Sequence, residues 1–546
     1  MDKKQEKLKM KKRFLILLAL VSSHLFAQPK FSKQDTLRGS ITPERSWWDV
    51  KHYELDIEPI INKQKIVGKN TISFYTIRQG QKMQIDLQNP MEIDSISFEE
   101  EKTSFTRIGN VYYVIFENEL FADKLYKITL HFSGKPHKAV NAPWDGGWIW
   151  TKDAKGNPWA TVACQGLGAS SWYPCKDHQS DEPENGAKIS VKIPKNLVAV
   201  SNGQFIGKKE VEKNKTIYYW EVKNPINSYN IVPYIGNYIH WSDGYNGEKG
   251  NLKLDYWVLE ENIEKAKKQF EQVKPMLKCF ENWFGAYPFY EDGYKLVEAP
   301  YLGMEHQSAI AYGNNYINGY IGKDLSHSGT GDKWDFIIIH ESAHEWFGNN
   351  ITSKDIADMW IHEAFTSYSE VLYTESLFGK EAGTNYVIGI RSSINNNLPI
   401  IGKYGVNKEG SGDMYYKGSN LIHIIRQLMD NDEKFKSLLR SMNQQFYHKT
   451  ITSQQLEKYI IDLTGLPLEK VFDQYLRTIQ IPVLEYKTEN KNIEYRWTNC
   501  TPNFQLRIKL QNGKWIDASE DWKSIECSQK DFILDENFYV KSIKIN

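Results

Sequence analysis

The spacing of apolar residues changes twice along the chain, and that double change limits the fold more than any other feature. From about Ser46 to Trp241, stretches such as HYELDIEPI, IVGKNTISFYTI, KLYKITLHF and KISVKI alternate apolar with polar residues or concentrate β-branched ones. Turn residues (NP, IGN, SGKP) separate several of them. This spacing predicts an all-β domain of roughly 200 residues. Near Glu260 the period becomes helical. ENIEKAKKQFEQVKPMLKCFENWFG predicts one helix stopped by Gly285, and helical patterns continue to about Leu476. After Pro482 short strand patterns return, with Asn512-Gly513 as a hairpin turn. The expectation is a multidomain α+β chain with domains at 28–245, 246–478 and 479–546.

With 546 residues, 40% of them hydrophobic, the chain can bury several cores. Lysine plus arginine equals aspartate plus glutamate at 68 each. No global field therefore favours nucleic acid or an anionic membrane. The first residues combine a lysine-rich start, an apolar run from Phe14 to Val21 and small or mixed residues to Ala27. That is the build of a secretory signal peptide over 1–27, which predicts a periplasmic or extracellular protein; the alternative is an uncleaved anchor. No later stretch is apolar enough to predict a membrane span in the mature chain. The five cysteines fit no cysteine zinc site. Cys500 with Cys527 and Cys164 with Cys175 are candidate disulfides, against free thiols at each.

One segment carries metal chemistry. In WDFIIIHESAHEWFG, read as a helix with Asp332 as its N-cap, His340 and His344 lie at i and i+4. Both rings then project from one face, where two imidazoles can hold one ion at about 2 Å each. Glu341 is turned about 100° away around the axis and reaches a water beside the ion without being a ligand. The next predicted helix, Lys354 to Phe378 with Ser353 as cap, carries two candidates for a third ligand. Glu363 follows His344 after 18 intervening residues, and His362 is its neighbour. His362 should point to a different face, which favours Glu363.

H-E-x-x-H, 18 residues and a glutamate within WIHEAF resemble the M1 family of zinc aminopeptidases. Three further segments match that family in order: CQGLGASSWYPCKD, PYLGMEHQSAIAYGN and MYYKG. The resemblance runs from about Trp48 to beyond Tyr475. It implies an N-terminal antiparallel β-sandwich or saddle, a mainly helical thermolysin-like catalytic domain and a small C-terminal β-domain. It implies one Zn2+ held by His340, His344 and Glu363, with Glu341 as general base and Tyr415, of the Y-x-K-G pattern, as oxyanion donor. Tyr416 is adjacent and competes for that role. Glu305 would bind the substrate's free amine, Gly303 and Met304 its backbone, and Gln165 its first residue. The implied reaction is hydrolysis of the N-terminal peptide bond of peptides.

The sequence departs from the family pattern at His306, where asparagine is usual, and at His362 and Ala364, where asparagine and glycine are common. Glu370, seven residues after Glu363 on the same helix face, is a candidate to orient a ligand, against a plain surface carboxylate. The alternatives are an endopeptidase or epoxide hydrolase on the same zinc frame, or a non-catalytic zinc- or peptide-binding protein. The last leaves Glu341 and Tyr415 without a task.

Overall fold

The computed structural model describes residues 30–212, 214–489 and 492–546. The leader expected at 1–27 lies outside them. The N-terminal domain is built on an eight-stranded sheet. Its order is Gln204–Glu212, Lys215–Val222, Ala187–Pro194, Trp48–Ile60, Lys65–Thr76, Leu125–Gly134, Glu92–Phe98 and Glu101–Lys102. Neighbours are antiparallel except for one seam, where Tyr53 to Ile57 runs parallel to Ala187 to Val191. Residues of the long strands alternate between core and solvent, as the two-residue side-chain period requires. Sheets of three and four strands complete this domain.

A five-stranded sheet follows, in the order Tyr238–Gly247, Gly250–Leu259, Tyr294–Glu298, Ile310–Tyr312, Gly303–Met304. Its first hairpin begins before the expected boundary at 245/246, so that boundary would cut the hairpin in two. Alternation along these strands serves two cores at once. Tyr256, Val258, Leu296, Ile310 and Tyr312 face the helical core. Trp257, Leu259, Val297 and Ala311 face the core of the N-terminal domain. The sheet is a shared wall, and its free edge is the short strand Gly303–Met304.

The first long helix differs from the single rod expected. It runs as Ile263–Gln269, a tight turn Phe270–Gln272, then Val273–Phe284. Pro275 has no N–H to give the Glu271 carbonyl, and its ring crowds that oxygen, so the helix cannot pass through unbroken.

The C-terminal residues form a four-stranded sheet and a separate hairpin, Leu506–Lys509 with Trp515–Ala518. The turn between them holds Gly513 at φ +86°, and Leu510 N–H donates to the Lys514 carbonyl at 2.8 Å. Trp497, Phe504 and Phe538 share one core with Phe472, Tyr475 and Leu476 of the preceding helix. All five cysteines are free, so neither candidate disulfide is formed. Among the described residues no helix is long and apolar enough to cross a membrane.

Candidate active site

The histidine helix spans Phe336–Ala343, and its N-cap is Asp335 rather than Asp332. The Asp335 carboxylate accepts from the N–H groups of Ile337 and Ile338 at 3.0 and 3.2 Å. Tyr312 of the sheet donates to it at 2.7 Å, which fixes the start of the helix against the wall. The second helix also starts later than expected. Ser353 lies in a strand, Ile351–Ser353, paired with Lys449–Ile451, and so cannot cap. Asp355 caps a tight turn, Ile356–Asp358, before the helix Trp360–Phe378 begins.

These two helices bring the expected ligands together. His340 Nε2 is 3.6 Å and His344 Nε2 3.4 Å from the same Glu363 oxygen, Oε2. All three ligand atoms lie within 4.8 Å of one another. Glu363 Oε2 is buried without a hydrogen-bond donor, an arrangement that is costly unless a cation meets it. Burial opposes ionisation of Glu363, yet the two imidazoles hold its carboxyl below the usual carboxylate range. The outer nitrogens are engaged: His340 Nδ1 with Glu370 Oε1 at 2.7 Å, and His344 Nδ1 with the Phe347 carbonyl at 2.9 Å. Tyr386 in turn donates to the other Glu370 oxygen at 2.7 Å. Both Nε2 atoms are thereby turned inward. Two imidazole nitrogens and one carboxylate oxygen are the donor set of a catalytic zinc with one position open, and the residues fit that ion.

His362 does not join them. Its Nε2 accepts from the Ser353 N–H at 2.8 Å, and burial pushes its pKa down to about 3, so it is a neutral structural imidazole. His306 is likewise turned away, fully buried and hydrogen-bonded through Nδ1 to Tyr234 at 2.7 Å. Burial lowers its pKa to about 3 as well. Ala364 packs against Gly418, where an added Cβ would come within 2.6 Å of the Ala364 Cβ. That glycine lets the helix Tyr416–Met429 approach the ligand helix closely.

A cleft of about 610 Å³ opens over the ligands. Gln165, Gly303, Met304, Glu305, Glu341, Tyr415 and Tyr416 all line it. Among the described residues no lysine or arginine does. Burial pushes the Glu341 carboxyl up to about 7, against the pull of the two imidazoles. Gly303 makes room for it, since a Cβ there would lie 2.7 Å from Glu341 Oε1. Burial and nearby carboxylates hold the Tyr415 hydroxyl well above its ordinary pKa, so it keeps its proton to donate. Its ring stacks over His340 at 6.1 Å between centroids. A larger groove, about 820 Å³ along Glu58 to Gln64, holds no histidine.

Glu305 is 3% exposed. Its Oε1 accepts from Gln165 Nε2 and, at 2.9 Å, from the Tyr229 hydroxyl. Tyr229, in the turn Ser228–Asn230, escaped the sequence reading because no motif marks it. Asn349 escaped too; its Nδ2 donates to the Glu305 carbonyl at 2.8 Å. It stands six residues past the end of the histidine helix, in the turn before the strand Ile351–Ser353, and a polar residue in such a turn carries no functional signal.

A candidate single-ion site at the joint of a β-domain and a helical domain defines the class. Sequence models of that class match the chain: "Peptidase family M1 domain" over 268–475 and "Peptidase M1 N-terminal domain" over 49–230. The chain belongs to peptidase family M1. It is similar to leukotriene A-4 hydrolase of Xenopus laevis, 26% identical over 321 residues, covering 56% of this chain and 49% of that protein. It is similar to aminopeptidase 2 of Candida albicans, 21% identical over 464 residues, covering 80% of this chain and 47% of that one. The chain spans about half the length of the curated relatives it matches. In fold it resembles the crystal structure of an M1 zinc metallopeptidase from Deinococcus radiodurans, with TM-score 0.67, 20% identity, and 80% and 93% of the two chains covered.

Proposed function

We propose that this protein is a zinc-dependent aminopeptidase that removes residues from the free N-terminus of peptides. The observation that carries the reading is Glu305. It is a buried carboxylate oriented by Gln165 and Tyr229. A carboxylate oxygen of Glu305 lies within 4.8 Å of ligand atoms of Glu341 and His344. With no lysine or arginine among the described residues that line the cleft, that charge favours a substrate ammonium, through a charge-assisted hydrogen bond. An endopeptidase has no use for a fixed anion at this distance from the reacting centre. A relative in fold from Deinococcus radiodurans, 19% identical, has been crystallised with a Tyr-Ser-Ala substrate.

His340, His344 and Glu363 would hold the zinc, which would supply a Lewis acid for the scissile carbonyl and the attacking water. Glu341 takes a proton from the attacking water and returns it to the departing amine. Tyr415 donates to the oxyanion that forms. Glu370 fixes the tautomer and direction of His340. The edge strand Gly303–Met304 presents unpaired backbone groups to which an extended peptide adds as a further strand.

Export to the periplasm or the exterior is part of the reading, supported by the lysine-rich, apolar leader. N-terminal sequencing of protein from the producing cells tests it: an intact Met1 would rule out cleavage. The activity is tested with aminoacyl reporter substrates with and without chelator, beside Glu341→Gln. The expected result is release of the first residue, abolished by chelation, and a turnover lower by roughly two orders of magnitude or more in a variant that still holds metal. Near-normal turnover in Glu341→Gln would remove the mechanism.

A further inference from the structure

Tyr415 is the joint between a tight turn, Gly412–Met414, and the helix Tyr416–Met429. Both of its flanks are tied to the C-terminal domain. On one flank stands Asp413, 2% exposed. Its Oδ1 accepts from the Asn395 N–H at 2.8 Å and its Oδ2 from the Asn396 N–H at 2.6 Å. Asn396 sits at φ +49°, in the left-handed region that few side chains occupy without a fixed surrounding. Its Nδ2 donates to the Tyr539 hydroxyl at 3.0 Å.

On the other flank, Asn420 Nδ2 donates to the Tyr416 carbonyl at 2.9 Å, and Asn420 Oδ1 accepts from Arg391 Nε at 2.6 Å. Arg391 also donates from Nη1 and Nη2 to the carbonyls of Glu536 and Asn537, at 2.7 and 3.2 Å. Its guanidinium also lies 5.4 Å from the Tyr539 ring centroid. Tyr475 donates to the Tyr539 carbonyl at 2.6 Å. Neither Asp413 nor Arg391 lines the cleft, so neither touches a substrate held there.

We propose that Asp413 is a positioning residue for Tyr415, and that residues 536–539 of the C-terminal domain buttress it. The proposal rests on the reading of Tyr415 as oxyanion donor. Such a donor works only when its oxygen sits about 2.7–3.1 Å from the place where charge develops. A displacement of about 1 Å costs on the order of a hundredfold in rate. A buried carboxylate that accepts from two consecutive backbone amides sets the turn before Tyr415 to that tolerance. Substrate binding in the ground state does not use the hydroxyl, so loosening the turn lowers kcat and spares KM.

The test uses the full-length, metal-loaded protein. Asp413→Ala is expected to lower kcat by about 10- to 100-fold with KM within about twofold, and Asp413→Asn to lower it less, since one of the two acceptors is kept. In a Tyr415→Phe background Asp413→Ala is expected to add less than about a further twofold, because the group it positions is gone. Amide hydrogen exchange over 412–417 is expected to quicken in the Asp413 variants while that over 336–343 is unchanged. An equal loss in both backgrounds, or a loss confined to KM, overturns the proposal. Should Asp413→Ala fail to fold, Asp413→Asn decides: unchanged kcat and exchange overturn it. Normal kcat in Tyr415→Phe alone would instead remove the assignment of Tyr415, a separate failure.

Discussion

Replacing Glu305 with glutamine keeps its size while removing its charge and exchanging one carboxylate oxygen for an NH2 that only donates. Both donors, Gln165 and Tyr229, meet Oε1, which leaves Oε2 for a substrate amine. A hydrogen bond to a charged partner is worth about 1.5–3 kcal/mol net, against about 0.5–1.5 for a neutral one. The amine remains cationic below a pKa near 8, and with the amide oxygen held by Gln165 and Tyr229 the variant turns its NH2 towards that cation, so the charged bond is lost. The loss is about 1.5–3 kcal/mol, or about 10- to 150-fold in kcat/KM. Glu305→Ala loses the whole contact and strands the two donors, at about 3 kcal/mol or more, which is over a hundredfold. The assay pairs kcat/KM on a free-amine aminoacyl reporter with the inhibition constant of a matched peptide whose amine is replaced by hydrogen. Wild type should prefer the amine, and both variants should lose that preference while binding the amine-free analogue within about twofold of wild type. If Glu305→Gln weakens both ligands equally, Glu305 shapes the cleft rather than reading the terminus, and the argument for exopeptidase action fails.

Three other outcomes follow from the geometry. Gly418→Ala sets a Cβ 2.6 Å from that of Ala364 and should destabilise by about 1–3 kcal/mol in denaturant melts; Ala364→Gly should restore most of it, and no rescue would refute the close packing. Glu370→Gln removes the charge behind His340 and should weaken zinc affinity by about 10- to 100-fold in a competition with a chelator. Burial holds His178, His306 and His423 at about 3, well below the ordinary histidine value. Their contribution is therefore present above the unfolded value near 6.5 and lost as pH falls through 6.5 towards 3, by about 1 kcal/mol for each histidine between pH 7 and 5.5. Unfolding midpoints measured over that range should show a shallower slope in His423→Gln, and an unchanged slope would refute the buried neutral ring.

Much of the ligand set could be read directly, because it depends on spacing alone. An i, i+4 pair on a helix points one way whatever surrounds it, and a carboxylate on the following helix had only one neighbour to compete with. His362 loses that competition because it points to another face of the helix, and the structure adds what it does there: it accepts from a backbone N–H of the strand Ile351–Ser353. Tyr229 was invisible because it stands 76 residues from Glu305 and in another domain. The caps were misplaced by a few residues because two aspartates, Asp332 and Asp335, are equivalent as letters. Only Asp335 is met by Tyr312 from the sheet. The break at Phe270–Gln272 was legible in Pro275, whose missing N–H outweighs a strong apolar stripe. The strand patterns gave the three-domain order but not its seams, because a hairpin that packs on two cores looks the same as one that packs on a single core.

From Leu254 to Leu259, Tyr294 to Glu298 and Ile310 to Tyr312 the sheet has no outward side of its own. A fragment cut to carry only the histidine and glutamate ligands would present Trp257, Leu259, Val297 and Ala311 to water, a greasy plank that glues to its own copies. The opposite fragment would lose the floor on which its tryptophans rest. Halves of this chain should come out of cells as insoluble material unless produced together, and the proposed amine-binding cluster of Glu305, Gln165 and Tyr229, assembled from both, exists only in the undivided polypeptide.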